Sequence, residues 1–188
     1  MIGWLAKTWG FDGGAIESPE SEVNIEYTVQ TYSRSQPDTS NRTLDDIIVE
    51  GSNRFVNHVN RCLEEVRGTR WESLVCELRK IAQCSCYADS GVSNGIYEAA
   101  PESMGLSVWN DDCIEGASVL IHEAVHTKRE FSGEFDNYDF AGEERIANAV
   151  QAEFLRFHGR YLRASDLENS DGRHNEPYMS AEFLAMQR

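Results

Sequence analysis

The sequence has no long hydrophobic run and is short of basic residues. None of its apolar stretches reaches the length of about 18 residues that a transmembrane helix requires, so no membrane span is expected. Lysine and arginine number 17 against 32 aspartates and glutamates, which leaves a formal net charge of −15. A surface that acidic repels phosphate backbones. We therefore expect neither a nucleic-acid partner nor a membrane partner.

The first residues also lack the features of a secretion signal. Residues 1–14 are interrupted by Gly10 and Asp12, which leaves no room for the apolar core of a signal peptide. We therefore expect a cytoplasmic protein, or one that is secreted or delivered without a conventional signal peptide.

Cysteine is sparse and odd in number. The five cysteines are irregularly spaced, which favours reduced thiols over a disulfide framework. Cys84 and Cys86 form a Cys-x-Cys pair, but no further Cys or His stands at a matching distance. The pair is therefore a weak signal for a metal site.

What remains is the composition of one globular domain. Hydrophobic residues make up 40% and charged residues 26% of the 188, which is ordinary for a folded domain of this length. We predict a loosely structured segment over residues 1–20, a single domain over 21–165 and a polar tail over 166–188.

Hydrophobic periodicity predicts a mixture of strands and helices. Alternating apolar residues indicate a strand, whereas apolar residues three and four apart indicate a helix. Thr43 followed by Asp46 is typical of a helix N-terminus, and His58 on that helix is expected to be structural. The predicted elements are a strand at 23–29, helices at 43–68 and 71–84, strands at 96–98 and 105–109, and helices at 114–129 and 143–158. An α+β fold follows from this order.

An HExxH motif stands inside the predicted helix at 114–129. Its histidines, His122 and His126, are four residues apart and project from one helix face, where two imidazole nitrogens can reach one metal ion. Glu123 lies on the adjoining edge of that face, where its carboxylate can accept a proton from water at the metal. With only 5 histidines in 188 residues, the pattern would rarely arise by chance.

A catalytic zinc usually takes three protein ligands and keeps its fourth position open. Glu144, 18 residues after His126, begins the next predicted helix and is the favoured third ligand. Asn148 lies one turn beyond it on the same face and is a candidate to hydrogen-bond a ligand. Glu143 points about 100° away around the helix and is the reserve. The other candidates are Glu153, His158 and His174.

The HExxH motif followed by the Glu-x-x-Ala-Asn helix resembles the zincin metallopeptidases that use a glutamate as third ligand. Among these it most resembles the ImmA/IrrE-type peptidases, over residues 114–152. The resemblance implies zinc bound by His122, His126 and Glu144, with Glu123 as the base. It also implies a zincin-like α+β domain, whose small mixed sheet has an edge strand beside the HExxH helix.

Two features depart from that family. Thr127, Lys128 and Arg129 follow the motif where the family often has apolar residues, and no DNA-binding module is evident. Zincin domains that act as bacterial toxins or delivered effectors are similar in size. The subfamily is therefore left open.

The function expected from this resemblance is a zinc-dependent endopeptidase acting on a protein or peptide. The predicted strand at 105–109 would hold an extended substrate by main-chain pairing, and the acidic surface favours a basic or neutral segment. The alternative is an inactive, zincin-shaped binding or interaction protein, although such a protein could lose Glu123, which is present here. The candidates for stabilising a developing oxyanion are Tyr138, His158, Tyr161, His174 and Tyr178.

Overall fold

A small four-stranded sheet and five α-helices make up the part of the chain that the computed structural model describes, residues 42–84 and 91–173. This confirms an α+β fold with a mixed sheet. The elements are β1 (Ile48–Glu50), α1 (Asn53–Val66), α2 (Glu72–Val75), β2 (Lys80–Gln83), β3 (Gly91–Ser93), β4 (Ile96–Ala99), α3 (Cys113–Ser132), α4 (Phe140–Phe157) and α5 (Tyr161–Glu168).

The sheet has the strand order β1-β2-β4-β3. The first three strands are parallel, and β3 pairs antiparallel with β4 at one end of the sheet. Asn94 and Gly95 join β3 to β4 with φ angles of 53° and 76°. An Asn-Gly pair at positive φ is typical of a two-residue hairpin turn. The main-chain N–H of Asn94 donates to the Glu130 carboxylate of α3 at 3.0 Å, which ties the hairpin to that helix.

The predicted helix at 43–68 is wrong over its first ten residues. Thr43 does form a capping box, but with a single 3-10 turn over Leu44–Asp46, and β1 follows directly. The helix itself begins at Asn53, after Ser52 caps it by accepting from Phe55 N–H. Leu44 in this turn and Ile47 after it are buried although neither is in an α-helix, and the following residues pair with β2 as strand β1.

The predicted helix at 71–84 is also mostly wrong. Only Glu72–Val75 is helical, and Lys80–Gln83 forms the central strand β2. Ile81 of this strand is fully buried, and the strand has parallel partners on both sides. A short apolar run in a buried strand cannot be distinguished from a buried helix by periodicity.

The predicted strand at 105–109 is wrong as well. Leu106 makes one isolated bridge to Asp111, and the chain between them forms a tight turn. The Ser107 hydroxyl donates to the carbonyl of Asn110 at 2.8 Å and fixes this turn. Trp109 at its tip is 94% exposed. Among the described strands, the one at the end of the sheet that packs against α3 is β3.

The remaining predicted elements within the described ranges are confirmed. The strand at 96–98 is β4, and the helices at 114–129 and 143–158 are α3 and α4. Asp112 caps α3 by accepting from the N–H groups of Ile114 and Glu115, and Gly133 ends it in the left-handed conformation at φ 76°. The predicted segment at 1–20 and the strand at 23–29 lie outside the described residues.

The core positions α3 between α1 and α4. Helix α3 packs against both of these helices and against β3. Ala124 of α3 and Ala147 of α4 are both fully buried. Helix α5 packs on α4 and continues past the predicted start of the tail at residue 166. None of the described helices is long and apolar enough to cross a membrane.

Candidate metal centre

Three predicted ligands come together between α3 and α4. The Nε2 atoms of His122 and His126 are 3.1 Å apart, and each lies 3.4 Å from a different carboxylate oxygen of Glu144. Around a tetrahedral zinc with bonds of about 2.0–2.1 Å, neighbouring donor atoms stand about 3.3–3.4 Å apart. The two imidazole nitrogens and the two carboxylate oxygens therefore approach one another to about the distance between neighbouring donors on one zinc, and the group can hold a metal ion.

The three side chains come from two helices, and their spacing in the sequence places them there. The histidines are one turn apart on α3, and Glu144 lies in the second turn of α4, which begins after Asp139. The exposed fractions of His122, His126 and Glu144 are 9%, 7% and 3%. A carboxylate and two imidazoles so deeply buried require a partner charge or a shared proton.

A buried chain of hydrogen bonds fixes the orientation of His122. Its Nδ1 lies 3.1 Å from Gln151 Oε1, and Gln151 Nε2 donates to the Ser118 hydroxyl at 2.9 Å. The Ser118 hydroxyl in turn donates to the Glu115 carbonyl at 2.7 Å. Because Ser118 accepts from the amide, the amide oxygen must face the histidine, so Nδ1 carries the proton. Nε2 then presents its lone pair towards Glu144 and His126.

Gln151 is the residue of this centre that the sequence analysis missed. It stands seven residues after Glu144, and this spacing returns to the same helix face. Asn148, the residue predicted for this role, is buried, but its side-chain nitrogen has no hydrogen-bond partner within the described ranges. His126 Nδ1 is likewise buried without a described partner, and its ring contacts Phe135 at 5.9 Å between centroids.

The charges at the centre are strongly coupled. Burial alone would raise the pKa of the Glu144 carboxyl, but hydrogen bonds and attraction from His122 and His126 hold that pKa well below its usual range. Burial alone would lower the pKa of His122, but Glu144, Glu123 and Gln151 together raise it. The carboxylate thus attracts a positive charge to the imidazoles, and either a proton or a metal cation meets that demand.

Glu123 is half-buried on α3, directly beside His122. Its negative charge contributes to raising the pKa of His122, so it is close enough to interact electrostatically with the centre. The role of Glu123 as proton acceptor stays a prediction from the motif.

The reserve ligand, Glu143, is committed elsewhere. Its side chain is 2% exposed and forms an ion pair with Arg129, whose Nε donates to Oε2 at 2.6 Å. The Arg129 guanidinium and the main-chain N–H of Asp136 both donate to the other oxygen at 3.0 Å. Burial would raise the pKa of Glu143, but Arg129 and the Asp136 N–H hold it below its usual value. Glu143 therefore does not join the group of three.

No described contact connects the oxyanion candidates to the three donor atoms. Tyr138 and Tyr161 are 73% and 63% exposed, and His158 packs between the rings of Phe154 and Phe157. His174 and Tyr178 lie outside the described residues.

A second cluster of metal-type residues lies between α1 and the start of α3. It consists of His58, Cys62 and Cys113, whose potential ligand atoms lie within 4.8 Å of one another. His58 Nε2 is 2.8 Å from the Met104 carbonyl, a hydrogen bond that requires the proton on that nitrogen. Burial raises the pKa of the Cys62 thiol, and Cys113 adds to the effect. The hydrogen bond to Met104 leaves His58 Nδ1 with its lone pair, 4.0 Å from Cys113 Sγ. The cluster contains no carboxylate, however, and its buried Cys62 thiol keeps its proton, so it lacks the negative charge that favours a cation at the first group.

Cys62, Cys76 and Cys113 are free thiols. Cys86 lies outside the described ranges, and the expectation of reduced cysteines stays a prediction.

Comparison of the chain with protein-family models, with curated proteins and with solved structures finds no significant match. The likeness to zincins therefore stays a hypothesis that depends on the residues and geometry described above.

Proposed function

We propose that this chain is a zinc-dependent endopeptidase, with His122, His126 and Glu144 as zinc ligands and Glu123 as the base. The observation that carries the proposal is the convergence of three buried ligand-type side chains, with the two Nε2 atoms 3.1 Å apart and each 3.4 Å from one oxygen of the Glu144 carboxylate. Two imidazoles and one carboxylate are the donor set of several catalytic zinc sites, and three ligands leave one position open for substrate or water. The hydrogen bond from His122 to Gln151 supports the same assignment.

The chain's own residues have separable tasks in this reaction. Zinc, when bound, supplies a Lewis acid that polarises the scissile carbonyl and lowers the pKa of a water ligand to about 7. Glu123 takes a proton from the attacking water and gives it to the leaving amine. Gln151 keeps His122 in the tautomer that presents Nε2. Glu144 supplies the negative charge that favours binding of a cation at the two imidazoles.

The proposed substrate is an extended segment of a protein or peptide. Strand β3 ends the described sheet and packs against the HExxH helix, so its outer edge can pair with an extended chain. The net charge of −15 favours a basic or neutral segment. A role as a toxin or delivered effector uses the same chemistry and belongs to the same proposal.

The first experiment is elemental analysis of protein purified without chelator, together with a His122→Ala variant. We expect about one zinc per wild-type chain and almost none in the variant. A wild-type protein that stays metal-free after dialysis against zinc would overturn the proposal.

The second experiment separates metal binding from turnover. A peptide library digested with zinc-loaded protein and examined by mass spectrometry should show cleavage that Glu123→Gln reduces by about 10²- to 10⁴-fold, because the variant lacks the base. The variant should keep its zinc. Zinc binding without cleavage of peptides or proteins by the wild type would favour the alternative, an inactive binding protein.

A further inference from the structure

The salt bridge between Arg129 and Glu143 lies about one helical turn from the metal centre. Arg129 stands three residues after His126 on α3, and Glu143 directly precedes Glu144 on α4. The guanidinium meets the carboxylate through two hydrogen bonds, Nε to Oε2 at 2.6 Å and Nη2 to Oε1 at 3.0 Å. The pair thus connects α3 and α4 within one turn of a predicted metal ligand on each helix.

Arg129 also holds the chain between the two helices. Its Nη2 donates to the Glu134 carbonyl at 2.9 Å, and its own carbonyl accepts from the main-chain N–H groups of Glu134 and Phe135 at 2.9 and 3.1 Å. The Asp136 N–H donates to Glu143 at 3.0 Å. Each of these bonds constrains where α4 starts relative to α3.

The pair differs from the ion pairs on the protein surface. The side chains of Arg129 and Glu143 are 22% and 2% exposed, whereas those of Arg156 and Glu168 are 42% and 41% exposed. Planar two-bond contacts restrict the relative position of both partners, and a buried charge that loses its partner is strongly destabilised. The buried pair is therefore suited to hold a defined geometry.

We infer that Arg129 and Glu143 are positioning residues, which hold Glu144 at bonding distance from the metal bound by His122 and His126. Neither residue contacts the metal or the substrate. Their effect passes through the rotation and axial position of α4, because Glu143 and Glu144 are consecutive on one rigid helix. This inference rests on the proposed function, in that it requires a metal at the three donor atoms.

The test is the metal affinity of Glu143→Gln and Arg129→Lys, measured by competition with a chromophoric chelator. Glutamine keeps the shape of Glu143 without its charge, and lysine keeps the charge of Arg129 without the planar fork. We expect both variants to bind zinc about 10- to 100-fold more weakly than the wild type, as for other groups that orient a ligand. The double variant should lose no more zinc affinity than one single variant loses, because the two residues act as a unit.

A matched control is available in the chain. Glu168→Gln removes the carboxylate charge from the exposed ion pair of Glu168 with Arg156. In this pair Arg156 Nε donates to Glu168 Oε1 at 2.8 Å, and Arg156 lies in the last turn of α4, far along the helix from Glu144. This variant should bind zinc with wild-type affinity. Its thermal stability, compared with that of Glu143→Gln, separates a loss of stability from a loss of metal affinity.

The visible absorption of bound Co²⁺ provides a readout that a purely structural role would not change. The bands are intense in four-coordinate sites and weak in six-coordinate sites, so displacement of Glu144 should weaken them in both variants. Folded variants with wild-type zinc affinity and an unchanged Co²⁺ spectrum would overturn the inference but not the proposed function. A wild-type protein that binds no metal would overturn the proposed function itself.

Discussion

Helix α3 contributes to two clusters that contain histidine, and they differ in what their donor atoms already do. At His122, His126 and Glu144, two Nε2 atoms and a carboxylate converge within 3.1–3.4 Å. Near the start of the helix, His58 instead lies 3.5 Å from Cys62 Sγ and 4.0 Å from Cys113 Sγ, and the group contains no carboxylate. The difference teaches that proximity of ligand-type residues is insufficient for a metal site. Donors must also point to a common centre and be free of protons.

The charge of the groups beside each histidine explains this difference. Gln151 accepts from the outer nitrogen of His122, and the Met104 carbonyl accepts the equivalent proton from His58, so each imidazole keeps one nitrogen available. The available nitrogen of His122 faces the Glu144 carboxylate, whose pKa is held well below its usual range. In the other cluster burial raises the pKa of the Cys62 thiol, so that group supplies no negative charge.

The largest effect should come from removing a ligand. We expect His126→Ala to weaken zinc binding by more than about 100-fold, which exceeds the effect of removing an orienting partner. Cys113→Ser, in the second cluster, should leave both the affinity and a stoichiometry of one zinc per chain unchanged. Isothermal titration calorimetry with zinc measures the affinity and the stoichiometry for both variants and the wild type. Two zinc ions per wild-type chain, with one lost in Cys113→Ser, would contradict the comparison.

A smaller effect is expected from Gln151→Ala, which removes the acceptor for the outer nitrogen of His122. The zinc affinity should fall about 10- to 100-fold, because the imidazole loses its fixed tautomer and orientation. Gln151→Glu restores an acceptor and serves as the control. Equal affinities for the wild type and Gln151→Ala would show that the ring is held by its packing alone.

Gly116→Ala tests whether the second cluster is part of the packed core. An added Cβ would lie 2.5 Å from Cys62 Sγ and 2.6 Å from the Met104 carbonyl oxygen. Overpacking of this kind costs about 1–3 kcal/mol, offset in part by the preference of helices for alanine. Urea unfolding should show this loss of stability for Gly116→Ala. The control is Gly91→Ala, where an added Cβ meets nothing within 4 Å, and its free energy of unfolding should not fall in this way. The zinc affinity of folded Gly116→Ala should stay at the wild-type level.

The smallest expected effect is the pH dependence of the zinc-free protein. The pKa of His122 is raised from 6.5, so its contribution to stability is complete below that pH and disappears as the pH rises through the raised value. The pKa of Glu144 is lowered from 4.5, so its contribution is present above that pH and disappears on acidification. The pair should therefore stabilise the metal-free protein most between pH 4.5 and 6.5.

The measurement is urea unfolding of metal-free protein across this range, with Glu144→Gln as the control. The stability difference between the wild type and the variant should shrink above and below the window. Apparent zinc affinity should rise with pH, because the metal displaces a proton from the site. A stability difference that grows steadily above pH 7 would contradict the assignment of the buried pair.

The sequence was most informative where the relevant contacts are local. The i, i+4 spacing of His122 and His126 needs only a helix, and the caps at Asp112 and Gly133 bound that helix in the predicted region. Gln151 could have been found by the same reasoning, since it shares a helix face with Glu144. The Asn94-Gly95 turn is a further local signal, which indicates the hairpin of β3 and β4.

Prediction was weakest where pairing between distant segments decides the structure. Residues 80–83 have apolar positions compatible with a helix, yet they form the central strand because β1 and β4 both pair with them. Residues 105–109 have the pattern of a strand but form an exposed turn, which hydrogen bonds between Ser107 and Asn110 fix.

The sequence by itself thus determined the two long helices and the residues on their facing surfaces, because helical spacing is set by hydrogen bonds within each helix. Only the tertiary structure decided which glutamate meets the histidines. Glu143 and Glu144 are adjacent and chemically identical, and the rotation of α4 against α3 directs one to Arg129 and the other to His122 and His126. That rotation depends on side-chain packing between helices, which no local pattern encodes.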